Sequence, residues 1–437
     1  MEREVKDMRT TLKKSVIYRM LRWCKRTVTN MFADIKTVPY FYRIKKQGTT
    51  IKDRKIRVAF LGQYVPAWNK FESIYNLMKN DNRFETYIVC LPSDIQNNIY
   101  HYDGRDYNDT YEYFYNNGYT DCINAIVGEG QWYNLEDFDY IFYTRPYNSV
   151  LPIVYTTDYV KKYAKICSVM YGMSMTEDVL YQTVNIPFYK DVYIYFAETK
   201  YALKAYKKKF RITTKLGLKK VFFYGYPVLE QILKDADKQG DSWGFSKNTF
   251  RVMWTPRWTT ALNLGGSNFF MYYKSLIRFA TEHQDIDFLL RPHPLTFDNF
   301  VKTGEMTQKE VAEYKQAIAD MTNMSLDTEK EYNATIWNSD AVIADISGFL
   351  PEYFITGKPI IYCASNMILT PAEHTKILMQ GCYVSYNEEQ TYEYLLMLKN
   401  GKDPLKDKRK EIIKELFGEN LNCATERIVE EIFELSV

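Results

Sequence analysis

Ala341–Tyr362 constrains this chain more than any other segment, because it packs a buried strand, a polar turn, a short helix and a second strand into 22 residues. Ala341-Val-Ile-Ala344 and Pro359-Ile-Ile-Tyr362 are apolar on both faces, as strands of a parallel sheet covered by helices must be. A βαβ unit of this kind belongs to α/β architecture. The turn between them, Asp345-Ile-Ser-Gly348, precedes a helix start whose backbone N–H groups lack internal partners and whose dipole favours negative charge. A phosphate is the guest such a turn suits. The same residues also fit a plainer reading, with Asp345 and Ser347 capping the helix and Gly348 supplying backbone freedom.

The pattern recurs on both sides of this unit. Ile56–Gly62, Phe84–Leu91, Tyr140–Tyr143, Lys165–Met170, Asp191–Phe196 and Val221–Tyr224 read as strands, with helical patterns at 68–79 and 199–210. A polar stretch, Lys234 to Ser242, then gives way to a fresh start at Arg251-Val-Met-Trp-Thr-Pro256. Behind it come a helical pattern at 268–282, a strand at 286–291, a helical 308–320 and charged helices from 407 to 437. A chain of 437 residues exceeds the usual single domain. The expected organisation is therefore a basic arm at 1–50 and two facing Rossmann-like domains at 51–240 and 241–437, with a ligand at the carboxyl ends of the strands.

Charge is distributed unevenly. Residues 1–46 hold 13 Lys or Arg against 4 Asp or Glu, whereas the whole chain carries only +3, so everything after the arm is net acidic. Val5, Met8, Leu12, Val16, Met20, Trp23, Val28, Met31 and Ile35 recur mostly at spacings of three or four, bordered by Arg9, Lys13, Lys14, Arg19, Arg22, Lys25 and Arg26. This predicts an amphipathic basic helix, suited either to an anionic membrane surface or to docking on the body of the protein or on a partner. Nucleic acid is not the expected partner, because the rest of the chain is acidic and carries no groove-reading motif. Seven scattered cysteines without a Cys-x-x-Cys pair point to a reducing compartment and no structural zinc. No signal-peptide core or 18-residue apolar run occurs, so the expectation is neither secretion by that route nor a membrane span.

Three strand-end loops in the second half carry polar equipment: Thr255-Pro-Arg-Trp258, Arg291-Pro-His-Pro294 and Asp345-Ile-Ser-Gly348. Arg257 and Arg291 can grip phosphate oxygens as planar forks, His293 can donate to a phosphate or a leaving oxygen, and the Ser347 turn adds backbone donors. Together they read as a pyrophosphate clamp. Singly, Arg291 could pair with a carboxylate and His293, between two prolines, could be a rigid loop residue. No cluster of Asp, Glu and His has metal-ligand spacing, so no metal site is assigned and Mg2+ dependence stays open.

Trp254-Thr-Pro-Arg-Trp258, Ser267-Asn-Phe-Phe-Met-Tyr-Tyr273, Arg291-Pro-His-Pro294 and the run from Asp345 to Ile361 resemble the CDP-glycerol:poly(glycerophosphate) glycerophosphotransferase family. Thr144-Arg-Pro-Tyr147, Val169-Met-Tyr-Gly172 and Gly225-Tyr-Pro-Val-Leu-Glu230 resemble it more loosely. The resemblance covers roughly 56–400 and is most specific from 251 to 362. It implies a GT-B enzyme, with no cofactor, that transfers an alditol phosphate from a CDP-alditol to a cell-envelope polymer or lipid-linked acceptor, as in teichoic acid or capsule assembly, releasing CMP. The basic arm would keep such an enzyme beside its lipid-linked acceptor, in the cytoplasm and peripheral to the inner face of the membrane.

By position the resemblance makes His293 catalytic and assigns Asp345 and Ser347 to the phosphate-binding turn; the reading of the strand-end loops adds Arg291 as a catalytic residue and Arg257 and Gly348 to donor phosphate. Tyr171 and Gly172 fall on the acceptor side, where the family carries Trp-His-Gly and this chain reads Met170-Tyr-Gly172. A tyrosine, with an ordinary pKa near 10, is a poor base at neutral pH. Glu352 is a carboxylate for ribose binding or proton transfer, as is Glu198. His101, His283 and His374 stand in a Tyr-rich loop, at a helix end and in a connecting loop, and take no role. Two competing readings are a GT-B glycosyltransferase using a nucleotide sugar and a non-catalytic GT-B subunit that binds nucleotide or glycan.

Overall fold

A computed structural model describes residues 16–47, 51, 53–93, 108–128, 130–170, 172–237, 242–245, 248, 250–329 and 332–437. Strands that are apolar on both faces can be stable only when helices cover both sides, and the chain builds two sheets of that kind. The first contains β1 (Ile56–Gly62), β2 (Phe84–Cys90), β3 (Ile123–Asn124), β4 (Tyr140–Tyr143), β5 (Lys165–Val169), β6 (Ile194–Phe196) and β7 (Lys220–Phe222), in the order β3-β2-β1-β4-β5-β6-β7. The second contains β8 (Arg251–Thr255), β9 (Asp287–Leu290), β10 (Met324–Leu326), β11 (Ala341–Ala344), β12 (Ile360–Cys363) and β13 (Tyr383–Ser385), in the order β10-β9-β8-β11-β12-β13.

Every pairing in both sheets is parallel. Both follow one plan. The chain builds outward in one direction from its first strand and then returns to that strand's other side, so the order reverses between β1 and β4 and again between β8 and β11. Loops diverge at such a reversal and leave a crevice beyond the strand ends. In the second sheet, register Val252↔Ala341 to Thr255↔Ala344 brings the ends of β8 and β11 level. Side chains alternate between faces: Val58, Phe60 and Met253 join one core that runs through both halves, whereas Ala59 and Leu61, and Val252 and Trp254, face two separate cores. The short strands β3, β10 and β13 have too few residues to show a pattern in the sequence.

Helix α1 (Val16–Gln47) includes most of the basic arm; residues 1–15 lie outside the described residues. Its C-terminal half is docked. Asp34, 1% exposed, accepts hydrogen bonds from the Ile212 and Thr213 N–H groups at 2.6 and 3.2 Å and from Thr213 Oγ1 at 2.5 Å, so it caps a helix from another part of the chain. Phe41 is buried with the Lys219 ammonium 4.5 Å from its ring centre. Docking on the body of the protein, one of the two readings of the arm, therefore describes residues 34–41. Val28, Met31, Phe32 and Ile35 stay exposed on another face.

Two of the weaker sequence strings turn out to be structural. Gly225 has φ +104°, and a Cβ there would lie 1.9 Å from the Asn420 carbonyl oxygen, so only glycine admits the approaching chain. Pro227 starts α2 (Pro227–Lys234), and Glu230, buried on it, accepts from Thr425 N and Oγ1 at 2.8 and 2.9 Å. Thr425 opens the last helix, α3 (Ala424–Glu434). That helix corrects one expectation. Although it lies within 241–437, it packs on the first half, through Ser73–Thr425 at 2.9 Å and Arg83–Glu430 at 2.9 Å, and Ser436 then donates to Tyr140. Its apolar face, Ala424, Ile428, Val429 and Ile432, finds cover there. Thr144 is the other case: it accepts from Gln63 N and donates to the Leu61 carbonyl, locking the ends of β1 and β4. No helix among the described residues is long and apolar enough to cross a membrane.

Candidate active site

The loops after β8, β9 and β11 leave adjacent strand ends at the reversal point of the second sheet. The β8 loop is held by Asp345, the first residue after β11. Its carboxylate, 3% exposed, accepts from Arg257 N at 2.8 Å, Ser267 Oγ at 3.0 Å, Asn268 Nδ2 at 2.9 Å and Asn268 N at 3.2 Å. Burial pushes its pKa up while these donors pull it down. Four donors fill the carboxylate's four lone-pair sites and leave none for a ligand, and a carboxylate repels phosphate. The assignment of Asp345 to donor phosphate is therefore corrected: it fixes the loop that carries Arg257.

Arg257 itself is half-buried. Nη1 donates to the Ile346 carbonyl at 2.5 Å, whereas Nε is buried with no acceptor, and no carboxylate among the described residues lies within ion-pair distance. Burial lowers its pKa and Asp345 opposes the shift. Gly265 makes the fit: with φ +108°, its Cβ position falls 2.7 Å from Arg257 Nε, so any side chain would push the guanidinium away.

Beyond β11, Gly348 is followed by a six-residue helix, Phe349–Phe354, with no side-chain cap. The capping alternative is thus corrected. Gly348 has an ordinary right-handed φ of −62°, and Ser347 Oγ is buried without a partner. The N–H groups of Ser347, Gly348 and Phe349 find no backbone acceptor among the described residues.

His293 stands exposed on the β9 loop. Its Nδ1 accepts the Leu295 N–H at 3.2 Å, which fixes the neutral ring as the Nε2–H form and opposes protonation at Nδ1. Lost hydration in the crevice lowers its pKa, and the nearby Arg257 cation lowers it further. His293 is therefore a neutral donor at neutral pH, with Trp258 6.4 Å away, ring centre to ring centre.

Arg291 behaves otherwise. Nη1 pairs with Asp327 at 2.6 Å, Nη2 donates to the Glu329 carbonyl at 2.8 Å, and the guanidinium lies 4.6 Å from the centre of the Tyr332 ring. The expectation of a phosphate fork from Arg291 gives way to a salt bridge that holds the β9 loop. Tyr332 in turn donates to Glu352 at 2.6 Å; burial raises the Glu352 pKa to about 7, with that bond and Arg291 opposing. Asp327 and Tyr332 carry no motif in the sequence. Only their shared contact with Arg291 exposes their role.

On the first sheet, Gly172 follows β5, and Tyr171 lies outside the described residues. Here the two halves meet. Met175 O accepts from Ala372 N at 3.0 Å and from Thr375 Oγ1 at 2.7 Å, and Glu177 N donates to Thr370 O at 2.9 Å. Thr370 ends a segment that begins beside the donor loop, where Ser365 Oγ donates to Gly265 O at 2.6 Å and Ile368 N to Leu262 O at 3.2 Å. His374 is not in a connecting loop. It sits in the first turn of the helix Glu373–Met379 of the second half, 2% exposed, with its ring centre 5.6 Å from that of Tyr201. No group of three or more His, Cys, Asp or Glu among the described residues could hold a metal.

The model of the CDP-Glycerol:Poly(glycerophosphate) glycerophosphotransferase family matches residues 167–434, more than half of the chain. The chain belongs to this family. It is accordingly a transferase of the glycerophosphotransferase type. Among solved structures, the wall teichoic acid polymerase TagF soaked with CDPG is 12% identical with TM-score 0.55, covering 96% of this chain and 98% of its own. UDP-GlcNAc 2-epimerase from Neisseria meningitidis bound to UDP-GlcNAc is 12% identical with TM-score 0.57, covering 87% and 100%. MnaA of S. aureus with UDP gives 12% and 0.56, covering 87% and 98%. At such identities the likeness is one of fold, and that fold is the GT-B arrangement. No curated protein sequence matches the chain.

Proposed function

We propose that this glycerophosphotransferase uses CDP-glycerol as donor and a hydroxyl of a cell-envelope polymer or its lipid-linked precursor as acceptor. The observation that carries the site assignment is the convergence of three unengaged donors at the reversal point of the second sheet: Arg257 Nε, Ser347 Oγ and His293 Nε2–H. A pyrophosphate is the ligand that meets them all. The acceptor oxygen attacks the β-phosphorus, the bond to the bridging oxygen breaks, and CMP departs with that oxygen. Arg257 and Ser347 hold the phosphates, and His293 donates to the departing CMP as charge builds on it. Arg291 and Asp345 keep those loops in place, and Glu352 stands ready for a ribose hydroxyl. Losing the His293 donor should raise the barrier by about 2.7–4 kcal/mol, as for other preorganised donors at developing charge.

The arm supplies the location. Val28, Met31, Phe32 and Ile35 follow i, i+3, i+4, i+7 spacing and are all exposed, with Lys36 and Arg43 exposed beside them. With the opposite face docked through Asp34 and Phe41, this stripe suits the anionic inner face of the cell membrane, where each Lys or Arg contributes roughly 1 kcal/mol.

Purified protein supplied with CDP-glycerol, CDP-ribitol or UDP-sugars and a membrane acceptor tests the reaction. CMP release from a CDP-alditol, abolished by His293→Ala, is expected. UDP release, or nucleotide binding without turnover, refutes the proposal. Phe32→Asp with Ile35→Asp should abolish sedimentation with phosphatidylglycerol vesicles, and retained binding would refute the membrane assignment.

A further inference from the structure

Between Lys200 and Leu229 the chain holds nine Lys or Arg and no Asp or Glu, although everything after the arm is net acidic. The fold gathers much of this charge on one surface. Helix Lys200–Lys209 buries Ala202 and Tyr206 on one face and sets Lys200, Lys204, Lys207 and Lys208, at i, i+4, i+7 and i+8, on the other. After a break at Phe210, the short helix Arg211–Lys215 adds Arg211 and Lys215 one turn apart. Lys204, Lys207, Lys208, Arg211 and Lys215 are all exposed. Several surface lysines elsewhere have a carboxylate beside them, as in Lys161–Asp158, Lys376–Glu373 and Lys410–Asp407. These five make no ion pair or side-chain hydrogen bond among the described residues. Like charges at i, i+4 repel and weaken the helix that carries them, and an anion relieves the repulsion. The helix dipole accounts for cations at 207–209 but not for Lys200 in the first turn or Arg211 at the start of the next helix.

This face starts where the acceptor side of the crevice meets the second half. Register Val169↔Phe196 sets the carboxyl ends of β5 and β6 level, and Thr199, which caps the helix by accepting the Ala202 N–H at 3.0 Å, follows β6 directly. Thr199 and Tyr201 line one small cavity with Met173 of the loop after β5 and His374 of the second half, and Lys200 Nζ donates to the Glu415 carbonyl at 3.4 Å. From that junction the helix leads its lysines away from the crevice for ~15 Å, and cations at i, i+4 stand ~6 Å apart along its axis. A glycerol phosphate chain repeats every six backbone bonds, the reach of two extended peptide residues or ~7 Å. Its phosphodiesters, each with one negative charge, match these cations in sign and in pitch.

We propose that the basic face from Lys204 to Lys215 is an exosite for the acceptor polymer, an anionic chain with a phosphodiester in every repeat, whose growing end enters the crevice while the repeats behind it lie along the lysines. This rests on the phosphotransfer reading above and narrows its acceptor to a chain of several units. The exosite touches none of the reacting atoms; it adds affinity only for acceptors long enough to reach it, so the enzyme prefers a chain already begun. Anionic lipid headgroups carry the same charge, but a bilayer also takes up apolar side chains. The face carries no exposed large apolar residue before Leu216 at its far end, whereas the arm exposes Val28, Met31, Phe32 and Ile35 together. The arm therefore suits the membrane and the lysine face suits a soluble polyanion.

With CDP-glycerol and soluble glycerol phosphate oligomers of increasing length, CMP release by the parent protein should show an acceptor kcat/KM that climbs with length and then levels off, and added salt should weaken the climb. Lys204→Glu with Lys207→Glu and Lys208→Glu should lower kcat/KM for long oligomers about 10- to 100-fold, the combined effect of several exposed ion pairs, while CDP affinity and turnover of the shortest acceptor stay as in the parent. Lys309→Glu with Lys402→Glu and Lys410→Glu, the same change of charge on the second half, should leave the length dependence intact. A flat length profile in the parent, a parent-like profile in the first variant, or an equal loss in the second would each overturn the proposal and leave the phosphotransfer reading standing. So would a first variant that loses binding to phosphatidylglycerol vesicles but keeps the length profile, which would assign the face to the membrane. If the first variant fails to fold, as seen by melting, a parent-like profile after Lys→Gln at the same three positions overturns the proposal instead. Absence of CMP release from the parent with every oligomer and with membrane acceptor would overturn the phosphotransfer reading and this one together.

Discussion

Asp345→Asn separates two roles that the sequence could not distinguish, because they predict opposite signs. If the carboxylate touched phosphate, removing its charge would tighten nucleotide binding. In the structure it instead anchors Arg257 N, Ser267 Oγ and Asn268. The Asn oxygen can keep the donors on Oδ2, but its NH2 group must then face the Asn268 NH2, leaving two buried donors opposed. A lost bond to a charged acceptor costs about 1.5–3 kcal/mol and an unsatisfied buried group about 1–3 kcal/mol, offset in part by no longer burying a charge. The net local cost is about 2–4 kcal/mol. That loosens the loop carrying Arg257, and loss of one charge-assisted bond to phosphate weakens CDP binding about 10- to 100-fold. Titration calorimetry with CDP, alongside the melting temperature, reads both effects. Binding that is unchanged or tighter, in a protein that melts normally, would refute the scaffold role.

Other consequences are equally direct. Gly225→Ala should destabilise the protein by about 2 kcal/mol or more, from positive-φ strain and from the clash with Asn420 O that lifts the last helix off the first half; an unchanged melting temperature would contradict this. Thr375→Val removes the hydroxyl that bonds Met175 O, and should raise the acceptor KM while sparing CDP affinity, with Thr375→Ser restoring it; equal loss of both affinities would show that the contact is not specific to the acceptor side.

Much of the architecture was legible because burial leaves a strong mark. Parallel strands covered on both faces must be continuously apolar, so β1, β5, β8 and β11 announce themselves. The helical pattern at 268–282 was less faithful: it splits into Phe269–Tyr272 and Ser275–Glu282, since periodicity reports facing but not an interruption. In the site, Arg257 and Arg291 looked alike as cations on strand-end loops. Their difference lies in Asp327, 36 residues beyond Arg291, which closes on one guanidinium while the other meets only a glycine and a carbonyl.

The sequence by itself determined the two-sheet α/β plan, the three polar loops, the basic arm and the family, because each is written in local pattern or in contiguous motif. Tertiary structure alone decided that Asp345 and Arg291 scaffold the site, that Gly225 and Glu230 serve the last helix, and that His374 lies against Tyr201 where the two halves meet. Those roles depend on which distant groups share hydrogen bonds and which are left without any, and a linear pattern carries no record of such pairings until the chain has folded.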